Sequence, residues 1–218
     1  MADTDTLPST RSLIAFESRT YRAGYSSFEI ASAGQGQHVL YIGAGSDTLA
    51  QLLAADFAVH AFAADETFAS FAPAAKAQHL AVALEAMALT GCSVIAAGPD
   101  AQALVHLAAG APDMCSSNVM IAPAVFDETG VLLDPALAEK LEKITSHTLA
   151  LFGTDSGGAA VGGPSNYRQK IPNCHLMYVF DAPDPLRDRP QAAASVIADF
   201  LRRGDGFLVN EKDGRIHA

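Results

Sequence analysis

Apolar residues along this chain gather into short unbroken runs, separated by longer stretches in which they recur every three or four positions. The runs cover 38–42 (HVLYI), 58–63, 93–97, 118–122 (NVMIA), 148–152 (TLALF) and 175–180 (HLMYVF). Each is long enough for a buried strand and too short for a helix. Between them, helical spacing predicts helices over 47–55, 72–89, 100–109, 135–143 and 191–202. In the second of these Leu80, Leu84 and Met87 share a face, with Pro73 near the start and Gly91 past the end; in the last, Ala194, Ile197, Phe200 and Leu201 form the inner face. Strand and helix alternating in this way predict a doubly wound, mostly parallel sheet with helices on both faces. Ahead of it, 18–33 mixes β-branched and aromatic residues loosely with polar ones, as one or two edge strands would, and Gly34-Gln35-Gly36 makes the following turn. The glycine-rich segment 153–164 reads as a long loop.

The pattern centres on 92–109, where a strand passes through Gly98-Pro99 straight into a helix. Such a corner holds one residue in a backbone conformation that strains a side-chain-bearing residue by about 1–3 kcal/mol. Glycine adopts it without a Cβ clash. The same residues also read as a helix start, with Gly98 as the N-cap, Pro99 in the first helical position and Asp100 facing the positive end of the helix dipole.

The chain has 218 residues, 50% of them hydrophobic and 17% charged, which suits one globular domain over 13–218 behind a polar, poorly ordered stretch at 1–12. Lys plus Arg number 14 against 24 Asp plus Glu, a net charge of -10, so a phosphate-backbone partner is excluded and no nucleic acid is expected. No apolar run approaches the ~20 residues that span a bilayer, and MADTDTLPSTRS lacks the basic and apolar regions of a signal peptide. The expectation is a cytoplasmic protein with no membrane contact. Cys92, Cys115 and Cys174 are odd in number and lack C-x-x-C spacing, so they signal neither a disulfide framework nor a zinc site and read as small buried residues. Neither a metal nor a cofactor is expected.

One stretch points another way. VLYIGAGSDT places Gly43-Ala44-Gly45 between a strand and a helix, and the next strand ends in Ala64-Asp65-Glu66, where a dinucleotide-binding fold keeps its ribose-binding acid. A Rossmann-type nucleotide or S-adenosylmethionine binder is therefore a rival reading. Against it, the third glycine of the motif is replaced by Thr48, and the methyltransferase acid two residues before the first glycine is Tyr41.

Strand, corner and helix together have the layout of the nucleophile elbow of α/β-hydrolases, whose sequence form is G-x-S-x-G; here it is Ala96-Ala97-Gly98-Pro99-Asp100. TLALFGTDSG, IPNCHLMYVFDAPD and RPQAAASVIADFLRRGDGFLVN resemble the last three elements of that superfamily, and the likeness runs over about 20–212. Ile42-Gly43-Ala44 fits the place of its His-Gly and oxyanion-donor residue, and Ala63-Ala64-Asp65 the place of its A-P-D. The resemblance implies a single-domain α/β-hydrolase fold whose cap is absent or minimal, since only about twenty residues separate the strands at 118–122 and 148–152.

It also implies where a triad would lie. The nucleophile position holds Gly98, the acid position Ser156 with Asp155 one place earlier, and the histidine position Pro183 or Asp184. Pro99 has no N–H to offer an oxyanion. Ser46, Ser156 and Ser165 fall in loops at the carboxyl ends of strands, whereas His147 and His175 begin strands at the other edge; Asp155 and Asp184 are the pair of carboxylates that remains. His79 and His106 read as ordinary helix residues. The implied protein is a lid-less pseudoenzyme, a small-ligand or protein-binding module using Gly43, Ala44, Gly98, Pro99, Asp155 and Asp184. Its shallow pocket would be completed, if at all, by the second subunit of a homodimer. The alternative is an active, esterase-like hydrolase with a non-standard nucleophile.

Overall fold

The computed structural model describes residues 13–23, 26–43, 47–62, 66–127, 129–154, 163–204 and 206. The stretch at 1–12, expected to be poorly ordered, lies outside them. Strands β1 (Glu17–Ala23) and β2 (Ser26–Ala33) pair antiparallel, so the N-terminal region resolves into two strands. β2 pairs antiparallel with β4 (Ala58–Phe62), and from there every pairing is parallel. β3 (His38–Ile42) lies between β4 and β5 (Cys92–Ala97), followed outward by β6 (Cys115–Ile121), β7 (His147–Gly153) and β8 (Cys174–Val179). Among the described residues this gives one eight-stranded sheet in the order β1-β2-β4-β3-β5-β6-β7-β8.

The inner strands are almost continuously buried because helices cover both faces. On one face α1 (Thr48–Leu53) and α8 (Pro190–Arg203) bury Leu49, Leu53, Ile197 and Phe200 against Val39, Ile95, Val119 and Leu149. On the other, α2 (Glu66–Ser70), α3 (Pro73–Ala86), α4 (Ala101–Gly110), α5 (Ala138–Lys143) and α6 (Pro164–Lys170) cover Leu40, Val94, Met120 and Ala150 with Phe68, Leu80, Leu104, Leu141 and Tyr167. A short α7 (Pro185–Asp188) precedes α8. The helices α2, α6 and α7 fall in stretches whose periodicity is too short to show.

Helix α3 stops earlier than its apolar pattern, and not at Gly91. Ala88 takes the left-handed conformation at φ +55°. Its N–H bonds Glu85 O at 2.9 Å and that of Leu89 bonds Leu84 O at 2.9 Å, the paired bonds of a Schellman stop. Gly91, at φ +64°, instead donates to Asp113 O at 3.0 Å in the turn leading to β5. All three cysteines are buried and free, as expected.

The winding locates a crevice. From β3 the chain crosses by α1 on one face to β4, then by α2 and α3 on the other face to β5, so β3 and β5 are neighbours whose connections leave in opposite directions. Ligands of open α/β sheets bind beyond the carboxyl ends of the strands at such a switch point. Here those ends are Gly43 and Gly98.

Candidate functional site

β5 ends with Ala97 extended, at φ -119° and ψ 151°, and Gly98 then turns to φ +53° before one 3-10 turn, Gly98–Asp100, leads into α4. Gly98 is therefore not an N-cap; Ala97 caps the 3-10 turn and Asp100 stands at the N-cap of α4. A Cβ built on Gly98 would meet nothing within 4 Å, so the direction in which an elbow side chain would project is open. Asp100 makes no side-chain cap bond. Its carboxylate instead pairs with Lys76 Nζ at 2.7 Å, where the Lys76 side chain is only 13% exposed and its ammonium lies 5.3 Å from the Phe68 ring centroid. An ion pair and an aromatic face thus compensate the partial burial of that lysine.

The corner is held from below. Gly98 O accepts the N–H of Ala124 at 2.9 Å, and Gln102 Nε2 donates to Ala124 O at 2.7 Å. The adjoining residues are gripped by Tyr167 of α6, whose hydroxyl donates to Pro123 O at 2.7 Å and accepts from the Val125 N–H at 3.2 Å. Tyr167 is 2% exposed, and burial pushes its phenol up to about 12, so it remains a proton donor at neutral pH. One buried tyrosine therefore fixes the loop after β6, and that loop fixes the Gly98 carbonyl.

Gly43 ends β3, with its N–H bonded to Phe62 O at 3.0 Å. A Cβ there would strike the ring of Tyr41, whose hydroxyl reaches on to Asp47 Oδ2 at 2.9 Å. Burial, with the Asp47 carboxylate beside it, raises the Tyr41 phenol well above its usual range. The space that a glycine leaves at this position is thus filled by the chain's own tyrosine, which accounts for Gly43 without a cofactor.

The described ones among the remaining sequence candidates have their own partners away from the corner. Ala44, Ser46, Asp65, Asp155 and Ser156 lie outside the described residues. Gly153 closes β7 so near the next loop that a Cβ would strike Ala182 O, while Thr154 N–H bonds Val179 O at 3.0 Å and Ala182 N–H bonds Thr154 O at 2.7 Å. Pro183 follows directly. Asp184 caps α7: its carboxylate accepts from Leu186 N at 3.1 Å and Arg187 N at 3.2 Å, and its own N–H donates to Asp188 Oδ2 at 2.8 Å. It sits beyond β8, with β6 and β7 between that strand and β5.

Ser165 is an exposed residue of α6. His147 and His175 stack with ring centroids 6.4 Å apart at the amino ends of β7 and β8, the far side of the sheet from Gly98. His79 bonds Ala75 O within its own helix at 3.1 Å, and His106 lines an open groove of about 340 Å³ between α3 and α4 with Leu107 and Lys140. Among the described residues no group of three or more His, Cys, Asp or Glu could hold a metal ion, and no helix is long and apolar enough to cross a membrane. Lys76 and Tyr167 are absent from the sequence reading. Both act through partners 24 and 44 positions away, for which local periodicity carries no signal.

In place of a helical cap, the described part of 122–146 holds a Phe126–Leu132 bridge, one 3-10 turn at Pro135–Leu137 and α5. Solved structures share this architecture. A predicted CIB-like hydrolase from Thermoplasma acidophilum superposes with a TM-score of 0.68 at 14% identity, covering 87% of this chain and 99% of that one. A membrane phospholipase A described as a novel bacterial virulence factor gives 0.69 at 15% identity, covering 88% and 87%. The carboxylesterase CesB from Bacillus subtilis gives 0.67 at 13%, covering 86% and 92%. The chain has the α/β-hydrolase fold. No protein-family model and no curated protein sequence matches it. The corner after β5, where Gly98 turns to φ +53° ahead of α4, has the strand–turn–helix layout of a nucleophile elbow.

Proposed function

We propose that this α/β-hydrolase-fold protein is catalytically inactive at the corner after β5 and binds a small molecule in the crevice between the carboxyl ends of β3 and β5. The observation that carries the reading is Gly98: it has a positive φ of +53° at a strand-to-helix corner, open space where a side chain would stand, and no side chain. Acyl transfer at an elbow needs a nucleophile, a base that takes its proton and a group that orients the base. Gly98 offers no nucleophile, Pro99 no oxyanion donor, and Pro183 and Asp184 no imidazole. With the described segment over the crevice so short, the ligand binds shallowly, through backbone and small residues at Gly43, Ala44, Gly98 and Pro99. Of the two candidate carboxylates, Asp184 is engaged in capping α7 through Leu186 N and Arg187 N, and Asp155 is the one proposed to contact the ligand.

The test is sustained turnover of a short aryl ester. None above buffer is expected, and Gly98→Ser should add none, because one missing oxyanion donor alone typically lowers the rate ~10²–10³-fold and the missing base blocks proton transfer as well. Sustained hydrolysis by Gly98→Ser would show that a base already stands at the corner and would overturn the reading. A thermal-shift screen addresses the ligand, since a molecule that binds only the folded state raises Tm. Stabilisation by nicotinamide or adenosyl cofactors would move the assignment to the glycine loop.

A further inference from the structure

Toward the amino ends of the parallel strands, away from Gly98, three side chains form one hydrogen-bonded chain. The β2–β4 register sets Ser32 directly across from His60. The β3–β4 register sets Leu40 beside His60, which places His38, two residues earlier, on the same face. Ser32 Oγ lies 2.9 Å from His60 Nδ1, and His60 Nε2 lies 2.8 Å from His38 Nδ1. The two ring planes are within 19° of parallel with centroids 5.1 Å apart, the spacing of imidazoles joined edge to edge by that hydrogen bond. Ser32 and His60 are half-buried, and His38 is exposed.

Burial, and then the neighbouring His38, push the His60 imidazolium down to about 4, so His60 is neutral at neutral pH. Two neutral proton arrangements satisfy the chain. With Ser32 donating, both rings carry their proton on Nε2, the commoner tautomer of a free histidine side chain; the reverse needs the proton on Nδ1 in both. The first arrangement puts a lone pair against the hydroxyl. A hydroxyl within hydrogen-bond reach of a neutral imidazole, itself oriented by a third group, is the arrangement that activates a nucleophile. We propose that Ser32 is a nucleophile toward neutral, activated acyl and phosphonyl donors, with His60 as its general base and His38 as the outlet for the proton.

With a fluorophosphonate, Ser32 Oγ bonds to phosphorus, the P–F bond breaks and fluoride leaves. The hydroxyl proton passes to His60 Nδ1 while the His60 Nε2 proton passes to His38 Nδ1. Positive charge thus appears on exposed His38, which releases the proton to water, rather than on half-buried His60. Glu17 lies directly across from Ser32 in β1, with its side chain 78% exposed. Its carboxylate is paired with exposed Arg19 at 3.4 Å, so the surface beside Ser32 offers no unpaired cation to draw in an anionic donor, and a neutral one is the fitting class.

The intact protein, treated with a fluorophosphonate at neutral pH and mapped by peptide mass spectrometry, should carry one phosphonyl group, on Ser32. Ser27 of the same strand should stay unlabelled. His60→Gln, which keeps a hydrogen-bonding partner for Ser32 but supplies no base, should slow labelling ~10²-fold, and His38→Gln should slow it less. An unlabelled Ser32, or equal labelling rates in wild type and His60→Gln, overturns the proposal. So does an NMR finding that His60 carries its proton on Nδ1, a measurement that needs no variant. This inference goes beyond the Gly98 reading and fails separately from it: aryl-ester turnover that persists in Ser32→Ala counts against the inert corner, whereas turnover lost in Ser32→Ala does not.

Discussion

Gly98 and Ala88 share a positive φ, at +53° and +55°, one at the end of a strand and the other at the end of a helix. Ala88 carries a methyl group there because the two bonds of the Schellman stop over-determine it. Left-handed backbone in this chain is thus not reserved for glycine, and its strain with a side chain present is about 1–2 kcal/mol. At Gly98 space is no obstacle either, since a Cβ would meet nothing within 4 Å. The bare corner is therefore not a packing requirement. Backbone strain alone opposes a side chain there, and Ala88 shows that a positive φ is open to a side-chain-bearing residue elsewhere in the fold.

The sharpest way to break this comparison is to release one corner without touching its own residue. Tyr167→Phe removes the hydroxyl that serves Pro123 O and the Val125 N–H, leaving buried groups unpaired. It should lower stability by about 1–3 kcal/mol, read as a lower urea midpoint at constant slope. An unchanged midpoint would mean that the loop under Gly98 is not held from α6. Next in size, Gly98→Ala should destabilise by about 1 kcal/mol, the strain less the gain from a stiffer unfolded chain; no loss of Tm would mean that the corner relaxes out of φ > 0. Smallest, and opposite in sign, Ala88→Gly should stabilise by roughly 0.5–1 kcal/mol. Because the two positions share no partner, the double exchange Ala88→Gly with Gly98→Ala should return stability to within ~0.5 kcal/mol of wild type. A larger departure would show that the two conformations are not equivalent.

The parallel core was legible because burial on both faces leaves strands such as HVLYI and CSVIAA as unbroken apolar runs, and the strand–corner–helix order exposed Gly98. Short elements were not. The helix PSNYRQK follows a glycine-rich stretch and has two turns at most, so its one decisive residue, Tyr167, carries no periodic signal. Asp184 was weighed as a site residue, although Asp184-Pro185 is a helix-start signal, a cap followed by proline in the first turn. Lys76 sits within an apolar helix pattern, and its tie to Asp100 depends on how α3 packs beside the corner. Ser32 and His60 meet only through the antiparallel β2–β4 register, which no local pattern specifies.

The buried thiols add a consequence of a different kind. Burial raises Cys92 to about 11 and both Cys115 and Cys174 to about 12, with Cys92 adding to the effect at Cys115. Only thiolates attack disulfide reagents, so in the native protein all three are shielded by solvent exclusion and by protonation together. They become reactive when β5, β6 and β8 open to water. The chain thus carries its own clock for rare excursions from the folded state: the rate at which a disulfide reagent consumes the three sulfurs counts openings of the sheet, strand by strand, without a denaturant or an added probe.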